Sequence, residues 1–331
     1  MQKLTLKFLN ILTRIRFPFT IQKYRWFIRD NQYSRLLQIK YLFKDYYQKK
    51  PYKTISFHGE FQQELTFVVP FAYWHYLNGT LSKTMSSEGT KELYFFSKNH
   101  EEKFDKRDWE YNEADYEIPN MTHTNVFSYS KWSQVPLKHI YKNKVFVYNK
   151  PIFIIANKYN IEWDGLPVNF FDIPLLTKIF ETYKDKYQII YNRPATTNIV
   201  SDNSDILDLK EFEWIRQEYP DVILMNDLYV KHKGTVSNFN HLQLMVYSNC
   251  SHFISVHGGT ATLASYFGGT NIILSKTGVE HYFKEFETIF PALSNAKILH
   301  AKTGEEVLNY LALHYHPDPH ILPYRNEKVI T

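Results

Sequence analysis

The chain has 331 residues, a formal net charge of +5, 44% hydrophobic residues and 22% charged ones. That apolar content excludes intrinsic disorder over most of the length, and the size fits two domains or one large one. Eleven glycines and one cysteine exclude collagen-like, disulfide-scaffold and zinc-cluster chains.

The charge is split. Residues 1–50 carry twelve Lys/Arg against two acids, a net of +10, while the other 281 residues hold 27 bases against 32 acids, a net of −5. The basic segment is also patterned. Leu4, Phe8, Ile11, Leu12 and Ile15 recur at helical spacing, Lys3, Lys7, Asn10 and Arg14 lie toward the other face, and Pro18 stops the helix. A second run sets Tyr24, Trp26, Phe27 and Ile28 among Lys23, Arg25 and Arg29, and a further helix is expected over 33–48. Helices of this composition can lie in an anionic membrane interface, each Lys/Arg contributing on the order of 1 kcal/mol. Packing on the chain's own domain is the alternative, and an acidic body argues against a nucleic-acid partner. No apolar run of about 18 residues is present to span a bilayer, and Arg14 and Arg16 interrupt the apolar stretch that a signal peptide needs. The lone Cys250 reads as a buried hydrophobe in a reducing compartment. The expected location is cytoplasmic, peripheral to the membrane through residues 1–30.

From residue 51 a first α/β lobe is expected, to about 144. Lys53–Phe57 and Leu65–Val69 read as strands, Pro70 opens a helix that Asn78-Gly79 ends, and Glu92–Phe96 reads as a strand. Residues 97–120 are acidic and read as a surface insertion. From 145 to 316 the alternation is regular. Strands are expected at 152–156, 187–191, 222–225, 252–256, 271–274 and 297–300. Helices are expected at 173–184, 209–218, 238–250, 260–267, 281–286 and 303–314. The strands are continuous apolar runs, as in a parallel sheet covered on both faces, so this lobe reads as doubly wound α/β. Residues 317–331 form a Pro-containing tail.

Three segments carry chemistry. Phe253-Ile254-Ser255-Val256-His257-Gly258-Gly259-Thr260-Ala261-Thr262 is an apolar strand running through a two-glycine turn into a helix. Backbone N–H groups there, with His257, Gly258, Gly259, Thr260 and Thr262, suit a phosphate at the carboxyl edge of a sheet. A tight turn capped by Thr260 is the plainer alternative. No G-x-G-x-x-G follows a strand, which argues against a nicotinamide cofactor. Arg193, in Tyr191-Asn192-Arg193-Pro194, can bind diphosphate bidentately or form a surface salt bridge. In the loop 157–163, Lys158 can neutralise phosphate and Glu162 and Trp163 can meet a sugar; a turn with a packed Trp is the alternative. His58 and Glu60, after the first strand, are candidate general bases; His75 reads as a packed histidine. No Asp-x-Asp or dense His/Asp cluster suggests a metal, and 202–205 reads as a loop.

The stretch 251–275 resembles the donor-binding segment of GT-B-fold glycosyltransferases: an apolar strand, a Gly-rich turn, the helix Leu263–Phe267, Gly268-Gly269 and the following strand Ile272–Leu274. It departs from the plant-type and macrolide-type pattern in having Ala264 and Ser265 where those enzymes carry a ribose-binding Glu, and no Pro after Gly269. The resemblance implies two Rossmann-like lobes and a nucleotide-sugar as donor substrate, with neither metal nor other cofactor. It implies transfer to a glycan or lipid-linked acceptor in bacterial surface-polysaccharide assembly. It also implies Arg193 on the donor phosphates, as in fucosyltransferase-like loops. A nucleotide-sugar epimerase of the same architecture and a non-catalytic membrane-associated scaffold are the rival expectations.

Overall fold

The computed structural model describes residues 2–108, 117–118, 129–161, 165–195, 198–200 and 206–315. Glu162, Trp163, residues 109–116 and 119–120 of the acidic insertion, the 202–205 loop and the tail 317–331 lie outside the described residues.

Two helices open the chain, α1 (Gln2–Arg16) and α2 (Gln22–Lys40), with a π-helical turn at Lys44–Gln48. The runs expected at 24–29 and from 33 therefore belong to one continuous helix as far as Lys40. Leu9 and Thr13 of α1 are buried, and Thr13 faces Gln32 of α2. Helical geometry then turns Leu4, Phe8, Ile11, Leu12 and Ile15 away from α2. Leu4 and Ile15 are 74% and 72% exposed. Further along, Tyr24 and Phe27 of α2 pack on Phe283, with ring centroids 5.2 and 6.1 Å away, and Tyr24 meets Tyr282 at 4.6 Å.

The first sheet is formed by β1 (Lys53–Ser56), β2 (Leu81–Ser87) and β3 (His100–Phe104), all parallel and in that order. Between β1 and β2 lie α3 (Phe61–Gln63), a π-helical stretch (Glu64–Val68) and α4 (Val69–Leu77). The expected strand at Leu65–Val69 is thus helical. The stretch is apolar because every side of it is buried, and a short buried helix then has the same apolar run as a buried strand. Glu92–Phe96 is likewise not a strand: Lys91–Tyr94 forms a 3₁₀ turn that buries Leu93 and Tyr94. The third strand, His100–Phe104, comes instead from the segment expected to be a surface insertion.

After α5 (Leu137–Ile140) the regular alternation follows its expected order: β4 (Ile152–Ala156), α6 (Ile173–Tyr183), β5 (Gln188–Asn192), α7 (Glu211–Glu218), β6 (Ile223–Leu224), α8 (Met225–His232), α9 (Phe239–Ser248), β7 (His252–Val256), α10 (Gly259–Ala264), β8 (Thr270–Leu274), α11 (Val279–Phe283), α12 (Glu285–Ala292), β9 (Lys297–Ala301) and α13 (Gly304–His314). Helix α8 is an addition, and the helix expected at 281–286 is two. Asp172, Asn238 and Thr303 cap α6, α9 and α13 by accepting from Leu175, His241 and Glu306 backbone N–H groups, each cap contributing about 1 kcal/mol.

All six strands are parallel, ordered β6-β5-β4-β7-β8-β9. The chain lays down β4, β5 and β6 in one direction, returns past β4 and adds β7, β8 and β9 in the other. Alternate residues of β4 enter opposite cores. Phe153 and Ile155 pack with α6 and α13, while Ile152, Ile154 and Ala156 join a core that continues through Phe57, Phe71, Leu93 and Phe146. The two sheets thus share one apolar core, and the chain is an α/β protein with two parallel sheets.

Beneath α2 the first sheet also buries a cluster of charges. Lys131, fully buried, donates to Asp45 and, at 2.7 Å, to Glu117; Lys53 donates to the other Glu117 oxygen at 2.6 Å; Tyr52 donates to Asp45 at 2.7 Å. His75 is buried, bonded to Thr80 at 2.7 Å, and its pKa is pushed down to about 2 by burial and by the Lys53 and Lys131 charges. Ser34 and Gln38 of α2 reach the backbone carbonyls at 117–118, and Ser130 donates to Gln38 at 2.6 Å. Removing one member of such a set leaves charge buried and uncompensated. Lys131→Ala should therefore destabilise the protein by about 3–5 kcal/mol, measured as the shift in urea midpoint. Lys131→Ala combined with Asp45→Asn, which leaves Lys53 paired with Glu117, should recover part of that loss.

Candidate functional site

Strand order in the large sheet reverses between β4 and β7, and in open parallel sheets the crevice at such a reversal is where ligands bind. Two of the turns singled out in the sequence meet there. Lys158 follows β4, and Gly258 follows β7. A Cβ on Gly258 would stand 3.5 Å from Lys158 Nζ. Gly258 has φ +107°, a conformation that a side chain would strain, and it rather than Thr260 occupies the cap position of α10. Thr260 is half-buried, whereas Thr262 is buried and its hydroxyl donates back to the Gly258 carbonyl at 3.1 Å, so it is turned away from the crevice.

Asn157 fixes the Lys158 loop. Its Oδ1 accepts from the backbone of Lys158 and of Phe171, and its Nδ2 donates to the Phe171 carbonyl and to Tyr191 Oη. Asn169 carries the same rim onward, accepting from Lys276 N–H at 2.7 Å.

The first sheet brings its own carboxyl edge to this place. His58 and Glu60 follow β1, both half-buried. The His58 ring stacks on Phe104 at 4.3 Å, and its carbonyl accepts from Asp108 N–H at 2.8 Å. The next two residues touch helices α10 and α11 of the large sheet's lobe. Phe61 packs so closely on Gly259 that a Cβ there would be 2.9 Å from its ring, and Gln62 Nε2 donates to Glu280 Oε1 at 3.1 Å. A buried pair, Arg107 with Glu64 at 2.5 Å, holds this loop, since Arg107 also donates to the Gly59 carbonyl and lies over the Phe61 ring. The two turns named in the sequence as base-bearing and phosphate-binding therefore face each other.

Arg193 is placed differently. Its guanidinium is buried, with Nε and Nη2 both on the carboxylate of Glu211 and Nη1 on the Leu207 carbonyl, over the Phe212 ring at 4.5 Å. Glu211 is itself fully buried and accepts from Tyr191 Oη. The pair is a salt bridge, as in the alternative, but a buried one and not at the surface: the fork is engaged inside the lobe.

His257 was singled out for its turn, but its partners were not. Nδ1 lies 2.7 Å from Ser275 Oγ and Nε2 lies 2.8 Å from Glu280 Oε1. Gly278 must lack a side chain here, because a Cβ would stand 2.3 Å from His257 Cε1. Ser275, Glu280, Gly278 and Gln62 escaped the sequence reading. The signal for Ser275 was its place directly after a parallel strand, the same signal that selected His257. Among the described residues, no group of three or more His, Cys, Asp or Glu could hold a metal ion.

No family model, curated protein or solved structure matches this chain.

The ion pair yields a prediction. Arg193→Ala should strand the Glu211 carboxylate and destabilise the fold by about 3–5 kcal/mol in chemical denaturation, whereas the apolar pair Arg193→Met with Glu211→Leu should be close to neutral. A ligand effect of Arg193→Ala that vanishes in the double variant would be structural in origin.

Proposed function

We propose that this chain is a glycosyltransferase of GT-B-like architecture that transfers a sugar from a nucleotide-sugar to a glycan or lipid-linked acceptor. The observation that carries the reading is the meeting of two carboxyl-edge turns. Lys158 and the 258–260 backbone come from the strand-order reversal of one parallel sheet, and His58 and Glu60 come from the other. Charge develops on the nucleotide diphosphate as the bond to the sugar breaks. An ammonium and oriented amides at a fixed crevice stabilise such charge. The acceptor hydroxyl must lose its proton as its oxygen attacks, and His58 or Glu60 is the group on the opposite wall suited to take it. Arg193 has no part in this scheme, and no metal is required by it.

The membrane belongs to the same reading. No helix among the described residues is long and apolar enough to cross a bilayer. The exposed apolar stripe of α1, with exposed Lys3, Lys7 and Arg14 alongside, suits in-plane adsorption to an anionic surface.

The deciding measurement is a thermal-shift panel of UDP-, GDP-, dTDP- and CMP-sugars. One donor should stabilise the protein, and Lys158→Ala should weaken it by about tenfold, the loss of one charge-assisted contact. Free nucleotide released on adding acceptor identifies transfer; an isomerised sugar still attached to its nucleotide identifies an epimerase; no response to any donor removes the enzyme reading. For the membrane, the full chain should sediment with phosphatidylcholine vesicles containing phosphatidylglycerol. Phe8→Asp with Ile11→Asp should reduce that binding by about tenfold or more. Equal sedimentation of both proteins removes the role of α1.

A further inference from the structure

Behind the Gly258 turn, hydrogen bonds join four side chains in series. Glu280 Oε1 lies 2.8 Å from His257 Nε2, His257 Nδ1 lies 2.7 Å from Ser275 Oγ, and Ser275 Oγ lies 2.7 Å from His281 Nε2. Ser275 is fully buried and His257 and Glu280 nearly so, whereas His281 and its neighbour His300 reach solvent in part. His300 closes the cluster, its Nε2 2.9 Å from the Ser275 carbonyl and its ring 4.4 Å from that of His281.

A hydroxyl has one proton to give, so Ser275 donates to one imidazole while accepting from the other. Two arrangements result. In one, His281 Nε2–H donates to Ser275, whose proton points at His257 Nδ1. In the other, His257 Nδ1–H donates to Ser275, whose proton points at His281 Nε2. Passing between them carries one proton from the partly exposed ring to the buried one.

We propose that His281, Ser275 and His257 form a proton relay that charges His257 when an anionic diphosphate occupies the crevice over Gly258. His281 and Ser275 act as positioning residues, and the proposal rests on the donor-site reading above. The balance is closed. A solvent proton binds His281 Nδ1, the Nε2 proton of His281 passes to Ser275 Oγ, and the original Ser275 proton passes to His257 Nδ1. His281 ends neutral. His257 ends with N–H on both nitrogens, one bonded to Ser275 and one to Glu280.

The surroundings favour passage inward. Burial lowers the pKa of His281, the neighbouring His300 and His257 and the Lys302 charge act in the same direction, and Glu280 opposes them. His257 is faced by Glu280 from α11, and Lys158 stands just beyond Gly258. A bound diphosphate adds negative charge on that side.

Calorimetric titration of the full chain with inorganic pyrophosphate, in HEPES and in Tris at one pH, reads the protons taken up on binding. The wild type should take up protons. Ser275→Ala, and His281→Gln, which keeps a donor to Ser275 but cannot titrate, should still bind with that uptake lost. Pyrophosphate's own ionisation is common to all three proteins, so their difference isolates the relay, and equal uptake in all three overturns it. Should pyrophosphate not bind at all, the donor-site reading fails, and ring-nitrogen NMR of the ligand-free protein decides the relay. The Nδ1 signal of His257 and the Nε2 signal of His281 should then show protons exchanging between the two rings, and Ser275→Ala should abolish that exchange. No exchange in the wild type, or exchange that persists in Ser275→Ala, overturns the relay, with far-UV circular dichroism verifying that the variant is folded.

Discussion

The adjacency of β4 and β7 is the constraint from which the candidate site follows. Strands laid down a hundred residues apart pair in register from Phe153–His252 to Ala156–Ser255. Their next residues therefore emerge side by side. Every feature of the crevice on this wall depends on that pairing: Lys158 against Gly258, the Asn157 braces, and His257 within reach of Ser275 at the end of the next strand. Because β4 is buried on both faces, with alternate side chains in two cores, the pair cannot slip by one residue without exchanging those cores.

The opposite wall is held by charge. Glu64 with Arg107, and Lys131 with Asp45 and Glu117, are fully or almost fully buried. Such sets are weak sources of net stability, because desolvation offsets most of the attraction, but they are intolerant of losing a member. Each ties together segments distant in sequence. Glu64–Arg107 fixes the loop that carries His58, Glu60, Phe61 and Gln62. The Lys131 set fixes α2 through the carbonyls of residues 117–118. Arg193 with Glu211 is a third such pair, on the other lobe.

How much of this could be read from the sequence divides along physical lines. The large sheet was legible strand by strand, since a parallel strand covered on both faces must be an unbroken apolar run. Leu65–Val69 was misread because a helix buried all round gives the same run. The Gly258 turn was legible as a local strand–turn–helix pattern. Arg193 was legible as a rare arginine at a strand end, but not its engagement, because Glu211 returns to it from eighteen residues away. The pairing of Ser275 and Glu280 with His257 was invisible for a related reason. Their relation to His257 arises from strand order and from the bareness of Gly278, neither of which leaves a periodic mark.

The contact of α2 with α11 has a mechanical consequence. Tyr24 and Phe27 rest on Tyr282 and Phe283, at the end of a five-residue helix whose second residue is Glu280. The opening forty residues are accordingly no detachable tether. A displacement of the second helix is felt by rings one turn from the carboxylate that grips His257 and accepts from Gln62.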